Sequence, residues 1–248
     1  MPLPLTVVTW NIHRCIGMDR RFDPERVVEV LRHHDADVVL LQEVDRGVPR
    51  SRLLWLDHEL ARALDYPFHA WAQAHTLKQG AYGNAVLSRF PIVKRRHLEL
   101  TIGWRKRRNA LYVRLQLPRR KRPLHVFDWH LGLSARERRR QVEKLLHSGT
   151  HRSIRSRDPV ILGGDTNDWR NLLYRGAGLE AAGYHAWSES GRRQPLRTFP
   201  APSPAGALDK VFWRGPLRET RFHVSRLALA RVASDHRPLV AEFVLERS

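Results

Sequence analysis

Cysteine, lysine and long apolar runs are scarce in this sequence of 248 residues. Cys15 is the single cysteine, which excludes an intrachain disulfide and a zinc site built from several cysteines. No run reaches the ~20 apolar residues of a membrane helix. The N-terminus lacks the basic start of a signal peptide and leads at once into the strand-like run LTVVTW at 5–10. We therefore expect a cytoplasmic monomer without stable membrane insertion.

Acidic residues are also few, because 25 Asp and Glu stand against 44 Lys and Arg, a formal net charge of +19. Such a field attracts nucleic acid, anionic membrane surfaces and phosphorylated substrates. The basic residues are mostly arginine, and this bias can also reflect the base composition of a genome. Two basic runs, RKRR at 105–108 and RRKR at 119–122, flank one predicted strand and so lie at its opposite ends. They either hold phosphates or are solvated strand ends that discourage edge pairing.

The composition, 42% hydrophobic and 28% charged, is that of a globular protein. Strands and helices alternate, and no linker or short repeat divides the chain. We predict one domain, residues 1–248, of the α/β (α+β) class, with packed sheets covered by helices. The predicted strands are 5–11, 37–42, 85–88, 92–100, 109–117, 124–130, 159–163, 208–213, 221–227 and 239–245. Helices are predicted to begin at Pro24 (N-cap Asp23) and to span 53–64, 134–147 and 172–182, and 188–206 is predicted to be a long loop.

Polar residues stand at the ends of several apolar strands, which indicates a site along one rim of the sheets. They are Asn11, Glu43, His130, Asp165, Asn167, Asp235 and His236. Singly, each could be a turn residue, a salt-bridge partner or a buried histidine. Together they supply carboxylates, imidazoles and amides, which suit a hard divalent cation with proton-transfer groups beside it. Glu43 is the expected main ligand of Mg²⁺, and Mn²⁺ would suit the same oxygen atoms.

Seven short motifs occur in order along nearly the whole chain: TWNI at 9–12, LQEV at 41–44, YGNAVLS at 82–88, HL at 130–131, GDTN at 164–167, LD at 208–209 and SDH at 234–236. This series resembles the endonuclease/exonuclease/phosphatase superfamily, whose members share the fold of pancreatic deoxyribonuclease. The resemblance implies a four-layer αββα sandwich, in which two packed mixed sheets are flanked by helices and the active site lies at one edge.

The resemblance also implies which residues bind metal and substrate. Glu43 would bind the metal ion, with Asn11 beside it and Asp235 as a further ligand. The metal would be Mg²⁺, with Mn²⁺ as the alternative. By the resemblance, Asn84 would lie near the metal and the phosphate. Apart from the resemblance, we expect His13 and Arg14 to contact the substrate, and also Trp169, because it directly follows the Asp165 motif.

Catalytic roles are implied for five further residues. Asp165 and Asn167 would position or deprotonate the attacking water. His236, oriented by Asp209, would stabilise or protonate the transition state. His130 would contact the phosphate or the leaving oxygen.

Two departures narrow the resemblance. His13 stands two positions after Asn11, where some DNA-repair members have aspartate, and FDWHLGLS at 127–134 lacks the tyrosine motif of abasic-site endonucleases. The chain instead resembles the histidine-bearing branch, which contains deoxyribonuclease-like nucleases, sphingomyelinase-like phosphodiesterases and inositol-phosphate phosphatases.

The resemblance therefore implies a Mg²⁺-dependent hydrolase of phosphodiester bonds that works by metal-assisted, in-line attack of water. Nucleic acid is the expected substrate, slightly ahead of anionic phospholipid, and a small phosphomonoester is third. The non-enzymatic alternative is a basic nucleic-acid or membrane-binding protein that kept the fold and lost turnover.

Overall fold

The protein consists of two six-stranded β-sheets packed face to face, with helices on the outside. The computed structural model describes residues 2–187 and 194–246. The four-layer αββα arrangement confirms the predicted fold class. Part of the predicted loop 188–206, residues 188–193, lies outside the described residues, and residues 194–206 have no strand longer than an isolated bridge. Of the described helices, none is long and apolar enough to cross a membrane.

The first sheet pairs the first and last strands of the chain at its centre. Its strand order is β11-β12-β1-β2-β4-β3. The strands are β1 (Leu3–Asn11), β2 (Val38–Arg46), β3 (Phe68–Thr76), β4 (Ala81–Ser88), β11 (Leu217–Val224) and β12 (Leu239–Leu245). β1 and β2 run parallel, which places Asn11 beside Gln42. The other neighbouring strands are antiparallel.

The second sheet brings three predicted site residues into one row. Its strand order is β5-β6-β7-β8-β10-β9. The strands are β5 (Ile92–Glu99), β6 (Asn109–Leu115), β7 (Leu124–His130), β8 (Val160–Asp165), β9 (His185–Ala186) and β10 (Asp209–Arg214). β7 and β8 run parallel, with His130 opposite Asp165. β8 and β10 are antiparallel, with Asp209 on the other side of Asp165.

Helices cover the outer face of each sheet and leave the inner faces to pack on one another. α1 (Pro24–His34) and α2 (Leu56–Ala63) pack on the first sheet, and α3 (Ala135–Leu146), α4 (Gly149–Arg152) and α5 (Leu173–Gly176) lie with the second. A central apolar cluster, which includes Leu40, Val113 and Val211, fills the space between the sheets. Because the inner strands are buried on both faces, they appear in the sequence as nearly continuous apolar runs.

The helix starts agree with the sequence in part. The Ser134 hydroxyl, at the start of the predicted helix 134–147, accepts a hydrogen bond from the main-chain N–H of Glu137 at 3.2 Å and so caps α3. The Glu137 carboxylate accepts from the Gln141 side chain. Asp23 stands at the N-cap position of α1, but its side chain forms no cap hydrogen bond and pairs with Arg26 at 2.9 Å.

Several elements differ from the sequence-based prediction. The short elements β9 and α4 were not predicted, β2 continues to Arg46 beyond its predicted end at residue 42, and β11 spans Leu217–Val224 where 221–227 was predicted.

Three further differences have a clear local cause. The edge strand β3 was not predicted, because its alanine-rich sequence is a weak strand signal and its pairing with β4 holds it. α2 begins three residues later than predicted, since Arg52 and Leu53 have positive φ angles of 54° and 60° that a helix cannot contain. The helix predicted over 172–182 stops at Gly176, and two of the residues that follow, Gly178 and Gly183, have positive φ angles.

The ends of β1, β2, β7 and β8 and the start of β10 meet at one edge of the sandwich, which we call the polar edge. A hydrogen bond across the two sheets shows this directly, because Asn11 Nδ2 donates to Asp165 Oδ2 at 3.1 Å. The strand directions therefore bring residues from distant parts of the sequence to one place.

Candidate active site

An open cavity of about 670 Å³ lies at the polar edge. Eight of the residues proposed from the sequence line it: Asn11, Glu43, His130, Asp165, Asn167, Trp169, Asp235 and His236. Asp209 lies directly behind His236, to which it is hydrogen-bonded. The structure thus brings these side chains together, although they come from separate segments of the chain.

Glu43 reaches the cavity because β2 contains a bulge. The register between β2 and β4 shifts between Leu41 and Val44, and Glu43 itself has a φ angle of 58°. A β-bulge adds one residue to one strand and redirects a side chain. A left-handed backbone costs a non-glycine residue on the order of 1–3 kcal/mol. Glu43 is therefore held in a strained conformation at the site.

His236 is a fixed cation at the cavity wall. Its Nδ1 and Asp209 Oδ2 are 2.7 Å apart, and the Thr198 hydroxyl donates to the same oxygen at 2.5 Å. Trp10 Nε1 donates to the main-chain oxygen of His236 at 2.8 Å. Although burial opposes the charged form, the carboxylates of Asp209 and Asp165 raise the pKa of His236 to about 10. At neutral pH the ring is thus an imidazolium that donates Nδ1–H to Asp209 and keeps Nε2–H for the cavity.

Asp165 lies between two imidazole rings. Its Oδ2 is 3.4 Å from His130 Nε2 and 3.7 Å from His236 Nε2, and this oxygen also accepts from Asn11. The other oxygen, Oδ1, accepts from the main-chain N–H of Asn167 at 2.9 Å. Burial raises the pKa of Asp165 to about 6, although the cationic His236 opposes the shift. Asp165 is therefore a carboxylate of raised basicity in a fixed orientation.

The two imidazoles carry different charges. Burial, the nearby Arg108 guanidinium and the charge of His236 hold the pKa of His130 well below its ordinary value. His130 is consequently neutral where His236 is cationic. Titratable groups whose environments push their pKa values apart are typical of sites that separate acid and base roles.

Gly164 allows β8 to end against β7. Its φ angle is 139°, and a Cβ atom at this position would lie 2.0 Å from the main-chain oxygen of Trp129. Three residues later, Asn167 has a φ angle of 50° and donates from Nδ2 to Leu131 O at 2.9 Å. This turn fixes the segment after His130 relative to Asp165.

Replacing Gly164 with alanine is expected to destabilise the protein by about 3 kcal/mol or more, because the methyl group meets main-chain atoms in a strained conformation. Chemical denaturation of Gly164→Ala checks this expectation. Gly149→Ala is the matched control, since a Cβ there meets no atom within 4 Å. Equal unfolding midpoints for the two variants would contradict the prediction.

Glu43, Asn11 and Asp235 offer the oxygen atoms that a divalent ion needs, and all three line the cavity. Asn11 Oδ1 also accepts from the main-chain N–H of His13 at 3.1 Å, and the Glu43 carboxylate is 3.5 Å from Arg14 Nε. Within residues 2–187 and 194–246, no group of three or more His, Cys, Asp or Glu side chains is placed to hold a metal ion. Mg²⁺ accepts one or two carboxylates and keeps several waters, so this donor set fits Mg²⁺ or Mn²⁺.

Three residues proposed as substrate contacts are not among those that line the cavity. Asn84 is buried, and its amide donates across the sheets to the main-chain oxygen of Asp128 at 3.2 Å. His13 Nδ1 is 2.9 Å from the main-chain oxygen of Ile16. Arg14 reaches the expected metal ligand through the ion pair described above. These positions indicate support of neighbouring segments more than direct contact with a substrate.

Aromatic residues on one side of the cavity position His236. Phe199 packs against the His236 ring, with centroids 4.8 Å apart. Trp169 packs edge-on against Phe199 at 5.7 Å and is half exposed to the cavity. Sequence analysis assigned no role to Thr198 or Phe199, because they lie in an irregular loop and form no recognisable motif.

The two basic runs lie at opposite ends of β6, as the sequence predicted. Arg105, Lys106 and Arg108 line the cavity. At the other end, Arg120 and Arg122 donate to main-chain oxygens. Only the first run can therefore contact an anion bound at the polar edge.

Comparison with known proteins assigns the chain to a family. The profile of the Endonuclease/Exonuclease/phosphatase family matches residues 8–236. The uncharacterized protein YbhP of Escherichia coli K12 is 30% identical over 247 residues, which cover 96% of each chain. D. rerio TDP2 complexed with a single-strand DNA product has a TM-score of 0.73 and 19% identity, over 97% of this chain and 98% of that one. A mannosyl-6-phosphatase of Bacteroides thetaiotaomicron has a TM-score of 0.71 and 16% identity, over 96% and 99%.

At identities of 19% and 16%, the two solved structures show that the fold is shared and say nothing about the function of this chain. The family profile, however, covers most of the chain, including the strand ends that form the cavity. The chain belongs to the Endonuclease/Exonuclease/phosphatase family, whose members hydrolyse phosphoesters.

Proposed function

We propose that this protein hydrolyses phosphodiester bonds with a divalent ion, Mg²⁺ or Mn²⁺, held at Glu43. One observation carries the proposal: a carboxylate of raised pKa, Asp165, lies between a neutral imidazole and a cationic imidazole in a basic cavity. Hydrolysis of a phosphodiester needs a base for water, positive charge near the phosphoryl oxygens and a proton donor. These three requirements correspond to groups already described.

Asp165 serves as the base that orients and deprotonates the attacking water. Its two hydrogen-bonded oxygens face different partners, so the carboxylate cannot rotate freely. A pKa of about 6 keeps it ionised at neutral pH while leaving it more basic than an ordinary aspartate. The water oxygen attacks phosphorus in line with the leaving oxygen, and its proton passes to Asp165. The bond from phosphorus to the leaving oxygen breaks, and that oxygen takes a proton from His236 Nε2.

His236 stabilises the charge that develops on the phosphoryl group. Asp209 holds Nδ1, so Nε2–H is the donor available to a phosphoryl or leaving oxygen. Because the imidazolium is present before the substrate arrives, no protein reorganisation is needed during the reaction. Arg105, Lys106 and Arg108 add positive charge along the same cavity.

A bound divalent ion would add charge stabilisation at the phosphoryl oxygens. Glu43 would be its main ligand, and Asn11 and Asp235 would lie beside it. The neutral His130 then remains for hydrogen bonding to the phosphate or the leaving oxygen.

Nucleic acid remains the substrate expected from the charge of +19. That TDP2 is a structural neighbour with a single-strand DNA product agrees with this expectation. Phospholipid is the second candidate, because Leu133, an aliphatic residue that lines the cavity, is 76% exposed. The phosphatase neighbour makes a phosphomonoester the third test substrate.

Hydrolysis of a substrate panel with Mg²⁺ and with a chelator tests the proposal. The panel contains plasmid DNA, single-stranded RNA, anionic phospholipid vesicles, sphingomyelin and inositol phosphates. We expect turnover of a diester that disappears with chelator and returns with Mg²⁺ or Mn²⁺. Glu43→Gln serves as the blank for contaminating activity.

Each class of result has a defined meaning. Hydrolysis of a diester that is unaffected by chelation would contradict the role of the ion. Turnover of phosphomonoesters alone would contradict the diester assignment. Tight binding of polyanions without turnover would favour the non-enzymatic alternative.

A further inference from the structure

Exposed apolar side chains concentrate in the loops at the polar edge, and two of them, Leu133 and Trp169, line the cavity. Nine large apolar side chains are exposed in the described chain, and eight of these lie in loops at the polar edge. The eight are Met18, Leu53, Trp55, Trp104, Leu133, Trp169, Leu172 and Val232. The ninth, Val93, lies in β5. Apolar groups gathered at one end of a protein mark an interaction surface more often than scattered ones do.

These side chains come from both sheets. Trp104, fully exposed, is carried by the loop between β5 and β6, beside Arg105. Leu53 and Trp55 lie after β2 and are more than half exposed. Met18 and Val232 are neighbours, because the main-chain N–H of Met18 donates to Val232 O at 2.8 Å. Loops of both sheets therefore contribute exposed apolar side chains to the polar edge.

The same loops are strongly basic. They contain fifteen Lys and Arg residues, four Asp and no Glu. The loops counted are 12–23, 47–55, 77–80, 100–108, 131–134, 166–172, 194–208 and 225–238. Basic residues interleaved with tryptophan and aliphatic residues are typical of surfaces that enter the headgroup region of anionic bilayers. Arginine and tryptophan suit this region because each combines an apolar body with a polar or charged end.

The opposite end of the sandwich is also basic but differs from the polar edge in its exposed apolar side chains. It carries the basic run 119–122, yet none of the nine exposed apolar side chains lies in its loops, among the residues that the structure describes. Charge alone is therefore a property of both ends. Among the described residues, the opposite end has one exposed apolar side chain, Val93 near the start of β5, whereas eight lie at the end that contains the cavity.

We propose that the polar-edge loops dock this protein on an anionic phospholipid surface, with the cavity opening toward the headgroups. Nucleic acid, which the net charge favours as a substrate, explains the exposed aliphatic side chains less well, because bases stack on aromatic rings and not on aliphatic chains. Five of the eight exposed side chains are aliphatic or methionine. Docking itself does not require turnover, whereas hydrolysis of a docked lipid would rest on the proposed function.

Vesicle sedimentation with the full chain tests the docking surface. The probes are vesicles of phosphatidylcholine alone and of phosphatidylcholine mixed with phosphatidylglycerol. The test variants are Trp104→Ala and Leu53→Ser, and Val93→Ala is the control for loss of an exposed apolar side chain elsewhere. Arg107→Gln and Lys121→Gln compare removal of one exposed charge at the two ends.

We expect the wild type to bind the anionic vesicles. A Trp104→Ala, Leu53→Ser double variant should bind them about tenfold more weakly, because it lacks two side chains that enter the interface. Each single variant should weaken binding, Val93→Ala should not, and Arg107→Gln should weaken it more than Lys121→Gln. Glu43→Gln should bind vesicles as the wild type does, so a failure of docking is distinguishable from a failure of catalysis.

Two results would overturn the proposal. The first is absence of binding to anionic vesicles, or equal binding by the wild type and the double variant. The second is a protein that binds no vesicles but binds a single-stranded oligonucleotide. In that case Trp104→Ala would weaken oligonucleotide binding and Leu53→Ser would leave it unchanged. That second pattern would assign the surface to nucleic acid.

Discussion

Replacing His236 with alanine is expected to lower kcat for phosphodiester hydrolysis by about three orders of magnitude. The reason is that the imidazolium supplies both positive charge and a proton donor at the cavity wall, where Asp209 holds it by a 2.7 Å hydrogen bond. Steady-state kinetics on the best substrate of the panel measures the effect. KM should change less than kcat, since the interaction strengthens as charge develops in the transition state.

The pH profile separates this catalytic role from a structural one. The pKa of His236 is raised to about 10, so its cation persists until the pH rises through that value, and the stabilisation it provides is complete below the ordinary histidine pKa of 6.5. The pKa of Asp165 is about 6, so its base function is lost as the pH falls through 6. Activity should therefore be level between these limits.

Asp209→Asn should move the alkaline limit of activity to lower pH. Without the Asp209 carboxylate, less negative charge opposes the effect of burial, which lowers the pKa of His236. His151→Ala is the control, since His151 is a buried histidine bonded to Tyr184 on the helix-covered side of the second sheet. That variant should lose stability without a change in the pH limits. An unaltered kcat in His236→Ala would remove His236 from the mechanism.

Glu43→Gln is expected to reduce kcat/KM by about three orders of magnitude or more. The substitution keeps the shape of the side chain but removes its negative charge, and the metal contribution to phosphoryl transfer is several kcal/mol. Isothermal titration with Mn²⁺ should show the accompanying loss of metal binding, which is a measurement independent of turnover.

Asp235→Asn is the matched comparison, because Asp235 lines the same cavity as an additional candidate ligand. We expect it to weaken Mn²⁺ binding less than Glu43→Gln does. Wild-type Mn²⁺ affinity and wild-type turnover in Glu43→Gln would exclude Glu43 as the main ligand. Restoration of activity at high Mg²⁺ in Asp235→Asn alone would support the proposed order of importance.

Local patterns predicted the strand ends well where the strands are buried. β7 ends at His130 and β8 at Asp165, close to the predicted limits, because apolar runs stop where polar side chains begin. The edge strand β3 was not predicted, because its own sequence is a weak strand signal. Its pairing with β4, which lies elsewhere in the sequence, holds a segment whose own strand preference is weak.

At the site, too, the sequence motifs pointed to some side chains and missed others. The motifs predicted site residues at Glu43, Asp165 and His236, and the structure brings these three side chains to one cavity. They did not identify Phe199, whose ring packs on His236 only after an irregular loop has folded back. They also placed Asn84 among the substrate contacts, whereas its amide links the two sheets.

The sequence by itself determined the types of chemical group available, the order of the strands that carry them and the positive charge of the chain. Those properties depend on residue identity and on periodicity, which are local. Only the tertiary structure decided that Asp165 lies between one neutral and one cationic imidazole, since burial and neighbouring charges set those states. It also decided that one basic run and nearly all exposed apolar side chains share the edge that holds the cavity, because strand direction assigns each loop to an end.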